Sequence, residues 1–182
     1  LKQLVLKNNF LMINEKKKNL YSIWARFNNK QQEQLEVLKK KVNKILEGPY
    51  FPIHMTISSR ILGSERELIK KMESNLNKLS RFSIEIDNYG YKNTFFQSLY
   101  INVKKNRKFI SQKKIIDTIF NCQPSFYAPH ISLYYGLKNN TAKKKIISKL
   151  PKLKKIIKIN NLCIALNDEK KLRWKIIESF LL

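Results

Sequence analysis

The chain has 182 residues, 43% of them hydrophobic, and a formal net charge of +24. This length and apolar content suit one domain or two tightly joined lobes around a real core. The short apolar pieces of residues 1–18 exclude a membrane-spanning segment or a signal peptide there, because both need longer apolar runs. We therefore treat residues 1–18 as an N-terminal extension, residues 19–182 as a single bilobal domain, and the protein as a cytoplasmic monomer with no membrane partner.

The charge favours anionic partners such as nucleic acid or nucleotides. The chain is also rich in lysine, asparagine and isoleucine together, which a coding bias alone can produce, so charge does not identify the partner. The lysines within residues 143–145 and 152–158 are interpreted as solvated surface that could also steer RNA. Cys122 and Cys163 lie far apart and lack a Cys-x-x-Cys pattern, which favours buried thiols in a reducing compartment over a disulfide or a metal site.

In chain order, alternating residues predict a strand at 20–27, and helical spacing predicts a helix at 30–47 that ends at Gly48 and Pro49. Residues 51–60 alternate again as a strand. Ser64 and Glu67 form a capping box that opens a helix reaching Leu79, and a strand follows at 82–87.

A similar order then repeats. Strands are predicted at 95–103, around 130–135 and at 162–166, with helices at 108–121 and up to Leu150 and a last strand from Leu172. The repeat predicts an α+β fold of two pseudo-symmetric lobes, in which antiparallel sheets face a central cleft and helices lie outside.

The two histidines of the chain both stand in a His-x-Thr/Ser triplet, His54-Met-Thr56 and His130-Ile-Ser132. Residues two apart on a strand share a face, so each imidazole has a hydroxyl beside it. A single triplet would be a weak signal. Two triplets at equivalent places in the two halves predict a catalytic site.

Opening a cyclic phosphodiester with water needs a base for the water and an acid for the leaving alkoxide. Histidine suits both tasks, since its ordinary pKa is roughly 6.5. The hydroxyls of Thr56 and Ser132 can donate to the phosphoryl oxygens. A zinc site would need a further ligand near the histidines, and the sequence offers none, so we expect no metal and no cofactor.

At these residues the chain resembles the two-histidine (2H) phosphoesterase superfamily, and within it the cyclic phosphodiesterases of plants and yeast. The similarity runs from about Leu20 to the C-terminus through residues 21–25, 48–56, 95–100, 129–136 and 162–164. It implies a bilobal fold and metal-independent hydrolysis of a 2′,3′-cyclic nucleotide or of ADP-ribose 1″,2″-cyclic phosphate, leaving a 2′-phosphate in the nucleotide case. It also implies that His54 and His130 are the catalytic pair. We expect His130 to be the base and His54 the acid, although the sequence leaves the reverse order open.

The resemblance implies that Trp24 and Tyr135 line the base or ribose pocket. Strand parity instead places Tyr134 on the histidine face, so both tyrosines are kept, with Tyr135 preferred. The same parity brings Phe96 to the cleft. It brings Arg60 to the cleft mouth, where it could meet a second phosphate or be a solvated strand end.

Two other functions stay open. One is a 2H phosphoesterase acting on RNA ends, either on 2′,3′-cyclic phosphates or on 2′,5′ linkages, which the charge favours. The other is a basic RNA-binding module without activity, which the intact histidines and hydroxyls oppose.

Overall fold

The computed structural model describes residues 20–123, 127–153 and 155–182, so the expected extension of residues 1–18 lies outside the described residues. The strands are β1 (Leu20–Phe27), β2 (Met55–Ile61), β3 (Phe82–Tyr91), β4 (Leu99–Lys104), β5 (His130–Tyr134), β6 (Lys155–Asp168) and β7 (Arg173–Leu181). The helices are α1 (Asn29–Leu46), α2 (Glu65–Glu73), α3 (Arg107–Ile119) and α4 (Asn140–Ile147), with a short 3₁₀ turn at Leu76–Lys78.

The strands of the described residues form one antiparallel sheet in the order β1-β2-β5-β4-β3-β6-β7, and β6 also pairs with β1. That extra pairing closes the first six strands into a ring. The predicted α+β class with antiparallel strands is confirmed.

The pairing of the strands crosses between the two halves of the sequence. β3, from the first half, pairs with β4, whereas β6, from the second half, pairs with β1. β6 can serve both sides because it is 14 residues long: its start pairs with β3 and the remainder with β1 and β7. The predicted strand at 162–166 was too short. Ile157 and Ile159 are buried on either side of exposed Lys158, an alternation that the lysines of this stretch obscure in the sequence.

Local capping signals were reliable. Ser64 accepts a hydrogen bond from the Glu67 amide and the Glu67 carboxylate accepts from the Ser64 amide, which confirms the predicted capping box. α1 begins behind Asn28, whose side chain accepts from the Gln31 amide, and ends at Glu47 in the left-handed conformation. These caps stabilise the helix that faces the first histidine motif.

One large core lies between the sheet and the helices. Its sheet side is built from alternate strand residues that are almost completely buried, including Ile23, Met55, Ile101, Ile131 and Leu162. α1 packs against β1 and β5, and α3 packs against β2 and β3. The residues between those core positions point to the opposite face of the sheet, which carries the two histidine motifs.

Candidate active site

The two histidine motifs lie side by side. Met55 of β2 pairs with Ile131 of β5 in antiparallel register, and both side chains are fully buried in the core. Their neighbours on either side therefore point to the opposite face. In this register His54 stands across from Ser132, and Thr56 across from His130.

The two imidazoles occupy the diagonal of this four-residue group. Residues so related in an antiparallel pair lie about 7–8 Å apart, with their Cβ atoms somewhat closer. The sequence predicted each His-hydroxyl pair on one strand, but the register adds a hydroxyl across from each imidazole.

Both imidazoles are held by the same kind of hydrogen bond. His54 Nδ1 lies 2.6 Å from the carbonyl oxygen of Pro52, and His130 Nδ1 lies 2.9 Å from that of Ala128. A carbonyl only accepts, so Nδ1 carries the proton in each ring. The Nε2 atom of each histidine is then left to exchange a proton with a ligand.

His54 is the more buried of the two, with 5% of its surface exposed. Trp24 lies across from Thr56 and stacks on the His54 ring at a centroid distance of 3.5 Å and an interplanar angle of 8°. The pKa of His54 is lowered to about 3, chiefly by burial and to a smaller extent by the charges of Arg26, His130 and Lys39, against the opposing effect of the Pro52 carbonyl. The neutral imidazole is thus favoured at neutral pH.

His130 is half-buried and has a looser aromatic neighbour. The Tyr100 ring meets it edge-on at 5.3 Å and lies across from Ser132. Burial lowers the pKa of His130, the Ala128 carbonyl opposes that effect, and the charge of Lys92 adds to it. The Gln97 amide nitrogen lies 3.4 Å from His130 Nδ1.

An aromatic cluster adjoins both motifs. Tyr135 stacks on Phe51 at 3.9 Å, and Phe51 meets His54 edge-on at 6.3 Å. Phe96 and Trp174 complete the cluster, at 5.5 Å and 5.4 Å from Tyr135. Phe96 is 37% exposed, so the cluster has an open side.

Burial raises the pKa of Tyr135 to about 12, and the nearby Ser132 hydroxyl opposes that effect. The Ser132 hydroxyl also lies within 3.4 Å of the Phe96 carbonyl oxygen. The second motif is therefore tied directly to the aromatic cluster through its hydroxyl.

The expected position of Tyr134 is corrected. The register between β4 and β5 shifts between Leu99 and Tyr100, so that Tyr134 pairs with Leu99 and joins the large core at 2% exposure. The parity that placed Tyr134 beside the histidines breaks at this bulge. Tyr135, the alternative, turns to the histidine side instead.

The expected position of Arg60 is also corrected. Two register shifts interrupt the pairing of β1 with β2, and Ser58, which parity placed with His54, instead donates to the Asp117 carboxylate of α3 at 2.5 Å. Arg60 itself has a left-handed backbone, with φ of 59°, and is exposed. It lines a hollow of about 690 Å³ with Lys71, Lys113 and Asp117, and Thr56 of the first motif also lines it. Among the described residues lining this hollow there is no histidine.

Trp24 lies at the site but is covered. Only 1% of its surface is exposed, so its ring backs His54 and presents no open face to a base.

Strand alternation places Tyr100 on the cleft face with Phe96, and the structure has it against His130. Sequence reasoning missed Gln97 and Trp174 as site neighbours. Trp174 follows the polar turn between β6 and β7. Only the pairing of β7 with β6 brings it to the aromatic cluster.

Two further sequence predictions concern the rest of the chain. Both cysteines are free, with Cys163 buried and Cys122 half-buried. Across the described residues, no helix combines the length and apolar character needed to cross a bilayer.

Known structures of the same fold were identified by comparison. Escherichia coli LigT complexed with 3′-AMP matches with a TM-score of 0.61 at 12% identity, covering 91% of this chain and 99% of LigT. The Thermus thermophilus protein TT0787 matches with a TM-score of 0.60 at 12% identity, covering 90% of this chain and 97% of that protein. At such identities the likeness concerns the fold alone.

The sequence comparisons concern the family. A cyclic phosphodiesterase of Arabidopsis thaliana is 25% identical over 123 residues, which is 67% of this chain and 68% of the plant protein. The family model described as "Cyclic phosphodiesterase-like protein" matches residues 21–182, from the second residue of β1 to the last residue. The chain therefore belongs to the cyclic phosphodiesterase-like family of 2H phosphoesterases and is an enzyme of the cyclic phosphodiesterase class.

Proposed function

We propose that the protein hydrolyses 2′,3′-cyclic nucleotides or ADP-ribose 1″,2″-cyclic phosphate without a metal, leaving a 2′-phosphate in the nucleotide case. One observation carries the proposal: two imidazoles on adjacent strands, each with Nδ1 tied to a backbone carbonyl and Nε2 left for a ligand. Such a pair can accept and donate protons on either side of one phosphorus.

The reaction requires one proton to move on each side of the phosphorus. As the water oxygen bonds to phosphorus, one imidazole takes its proton. The bond from phosphorus to the 3′ oxygen breaks, and the second imidazole gives that oxygen a proton. Each transfer is worth about 10²–10⁴ in rate, so two of them suffice for a useful enzyme.

The difference in burial favours His54 as the base and His130 as the acid, the reverse of the order that we preferred from the sequence. His54 is deeply buried and its pKa is lowered to about 3, which keeps the ring neutral, the state that a general base needs before it takes a proton. A bound phosphate anion raises the pKa of both rings. His130, which is only half-buried, has less desolvation to overcome and takes up a proton more readily.

Thr56 and Ser132 are proposed to hold the phosphoryl oxygens. Each hydroxyl stands across from the histidine of the other motif, so the two donors approach the phosphate from two strands. Donors fixed in this way stabilise charge that builds on the oxygens during attack.

We assign the base and ribose to the open side of the aromatic cluster, formed by Tyr135, Phe96 and Trp174. Aromatic rings stack on any base, which suits a site of broad base preference. Trp24 is proposed to support His54, because its stacked face is already occupied by the imidazole.

A second candidate is action on RNA ends. The net charge of +24 and the hollow that joins Arg60, Lys71 and Lys113 beside Thr56 favour it, since phosphates upstream of a cyclic end could lie there. The hollow also contains Asp117, which neutralises part of that charge.

The test is hydrolysis of 2′,3′-cyclic AMP beside a short RNA with a 2′,3′-cyclic end, both in EDTA, with the phosphate position assigned in each product. Turnover of the mononucleotide to the 2′-phosphate supports the first function. A strong preference for the RNA supports the second. RNA binding without turnover would indicate a basic RNA-binding module without activity. A requirement for a metal would contradict the proposed mechanism.

A further inference from the structure

We propose that Gln32, Glu36 and Lys39 of α1 are positioning residues for His54, acting through the backbone of the segment that precedes it. Only the expected change in kcat rests on the proposed function. These side chains lie on one face of the helix, spaced by four and three residues.

The segment between α1 and β2 lacks regular secondary structure at 47–54, so its buried backbone groups need other partners. Gln32 Nε2 donates to the Ile53 carbonyl at 3.2 Å, and the Ile53 amide donates to the Glu36 carboxylate at 2.8 Å. Lys39 Nζ donates to the Phe51 carbonyl. Side chains of one helix thus bind the backbone amide and carbonyl of Ile53 and the backbone carbonyl of Phe51.

Lys39 is an unusual residue for this task. It is 1% exposed, pairs with Glu36 at 2.9 Å, and lies 4.7 Å and 4.8 Å from the ring centres of Tyr50 and Phe51. Burial lowers the pKa of Lys39, and its hydrogen bond with Glu36 opposes that effect. Replacing a buried ion pair by uncharged side chains of similar volume is often neutral or stabilising. The ion pair by itself therefore gives no reason for a lysine here, and what Lys39 adds is the donor to the Phe51 carbonyl.

The held segment leads directly to the imidazole. Pro52 lies between Phe51 and Ile53, and its carbonyl accepts from His54 Nδ1 at 2.6 Å. If the segment moves, this carbonyl moves, and the ring loses its alignment with Trp24. Misplacement of about 1 Å can cost about 10²-fold in rate.

The same network contributes to the charge around His54. The cations that act on it are Arg26 from β1, Lys39 from α1 and, when protonated, His130 from β5. Arg26 Nε donates to Gln32 at 3.3 Å, so the α1 network also holds the second cation. Removing Lys39 takes away one charge that disfavours protonated His54, and its pKa should rise.

The experiment compares Lys39→Met and the double variant Glu36→Gln/Lys39→Met with two controls. The double variant removes the ion pair but keeps an acceptor for the Ile53 amide. Lys40→Met removes an exposed charge from the same helix. Lys143→Met removes a fully buried lysine of α4 that donates to the Lys92 carbonyl at 2.7 Å, a backbone group outside the 51–53 segment. The measurements are kcat, KM, the pH profile, urea unfolding, and ¹⁵N–¹H NMR of the imidazoles.

We expect kcat to fall about tenfold in both Lys39 variants with KM within about twofold, since the loss is one of alignment. The His54 signals should shift and titrate at higher pH, and the acid limb of kcat/KM should move to higher pH. Both controls should keep the His54 signals of the wild type. The chain has two histidines, so His130→Asn suffices to assign the spectrum.

Wild-type kcat and unchanged His54 signals in both Lys39 variants would overturn the proposal, whatever their stability. If the wild type opens no cyclic phosphate, the proposed function fails. The NMR comparison still decides whether α1 positions His54, so the two failures are distinguishable.

Discussion

The two histidine motifs are alike in sequence and unlike in surroundings. His54 is 5% exposed, stacked on Trp24 at 3.5 Å and approached by Arg26 and Lys39. His130 is half-buried, meets Tyr100 only edge-on at 5.3 Å, and has Lys92 as its nearby cation. The shared feature is the Nδ1 bond to the carbonyl two residues before each ring. A repeated motif thus fixes the tautomer twice, while the neighbouring strands set two different proton affinities.

This contrast predicts different proton roles for the two rings, and replacing each ring separately is the strongest test. His54→Asn and His130→Asn should each lower kcat on 2′,3′-cyclic AMP by about 10²–10⁴. On an activated p-nitrophenyl phosphodiester, whose leaving group needs no proton, His130→Asn should lose little and His54→Asn much. The reverse result would make His130 the base.

The aromatic neighbours give the next largest expected effect. Trp24→Leu removes the stacked ring that fixes His54 and should lower kcat by about 10–100-fold. Tyr100→Leu removes only an edge contact from His130 and should have a smaller effect. Steady-state kinetics with a urea-unfolding control measures both, and equal losses would show that the two motifs are supported alike.

The aromatic cluster links the motifs through Phe51 and Tyr135, and it should affect binding rather than chemistry. Trp174→Leu should raise KM for 2′,3′-cyclic AMP about tenfold, since stacking is worth about 1–3 kcal/mol per base. Glycerol 1,2-cyclic phosphate, which has no base, is the matched substrate and should be unaffected. A similar loss on both substrates would mean that Trp174 serves only the fold.

The buried histidine should also make the fold sensitive to acid. The pKa of His54 is about 3 in the folded protein and roughly 6.5 when unfolded. The unfolded chain therefore binds more protons between these values, so stability is full above the unfolded pKa and falls as pH drops. His54 contributes up to about 1.4 kcal/mol per pH unit to that slope. Urea unfolding should show a flatter slope in His54→Asn, and an unchanged slope would contradict the assigned burial.

The smallest effect is expected at Arg60, which follows the first histidine motif in the sequence. No arginine stands at the equivalent place after the second motif. Arg60→Ala should change kcat/KM for 2′,3′-cyclic AMP by less than about twofold, because exposed charges contribute little. On an RNA with a cyclic end, a larger and salt-dependent loss would favour the hollow beside α3 as a phosphate site. The quantity to measure is the loss in kcat/KM on the RNA divided by the loss on 2′,3′-cyclic AMP.

Sequence reasoning about the site succeeded where it used local spacing and failed where it extended parity. The i, i+2 spacing placed each hydroxyl beside its histidine. Tyr134 and Arg60 were misplaced because bulges between neighbouring strands shift the register, and a bulge depends on the partner strand. Trp174 was missed because its contacts join β7 to residues far away in sequence.

By itself, the sequence determined the α+β class, the order of helices and strands, and the four residues of the two triplets, because periodicity, caps and i, i+2 spacing act over a few residues. Only the tertiary structure decided that β3 pairs with β4 and that β6 pairs with β1, across the two halves of the sequence. It also decided that the pairing of β2 with β5 sets the triplets side by side, and that one imidazole is buried more deeply than the other. Those features depend on long-range pairing and on desolvation by distant residues, which local patterns do not encode.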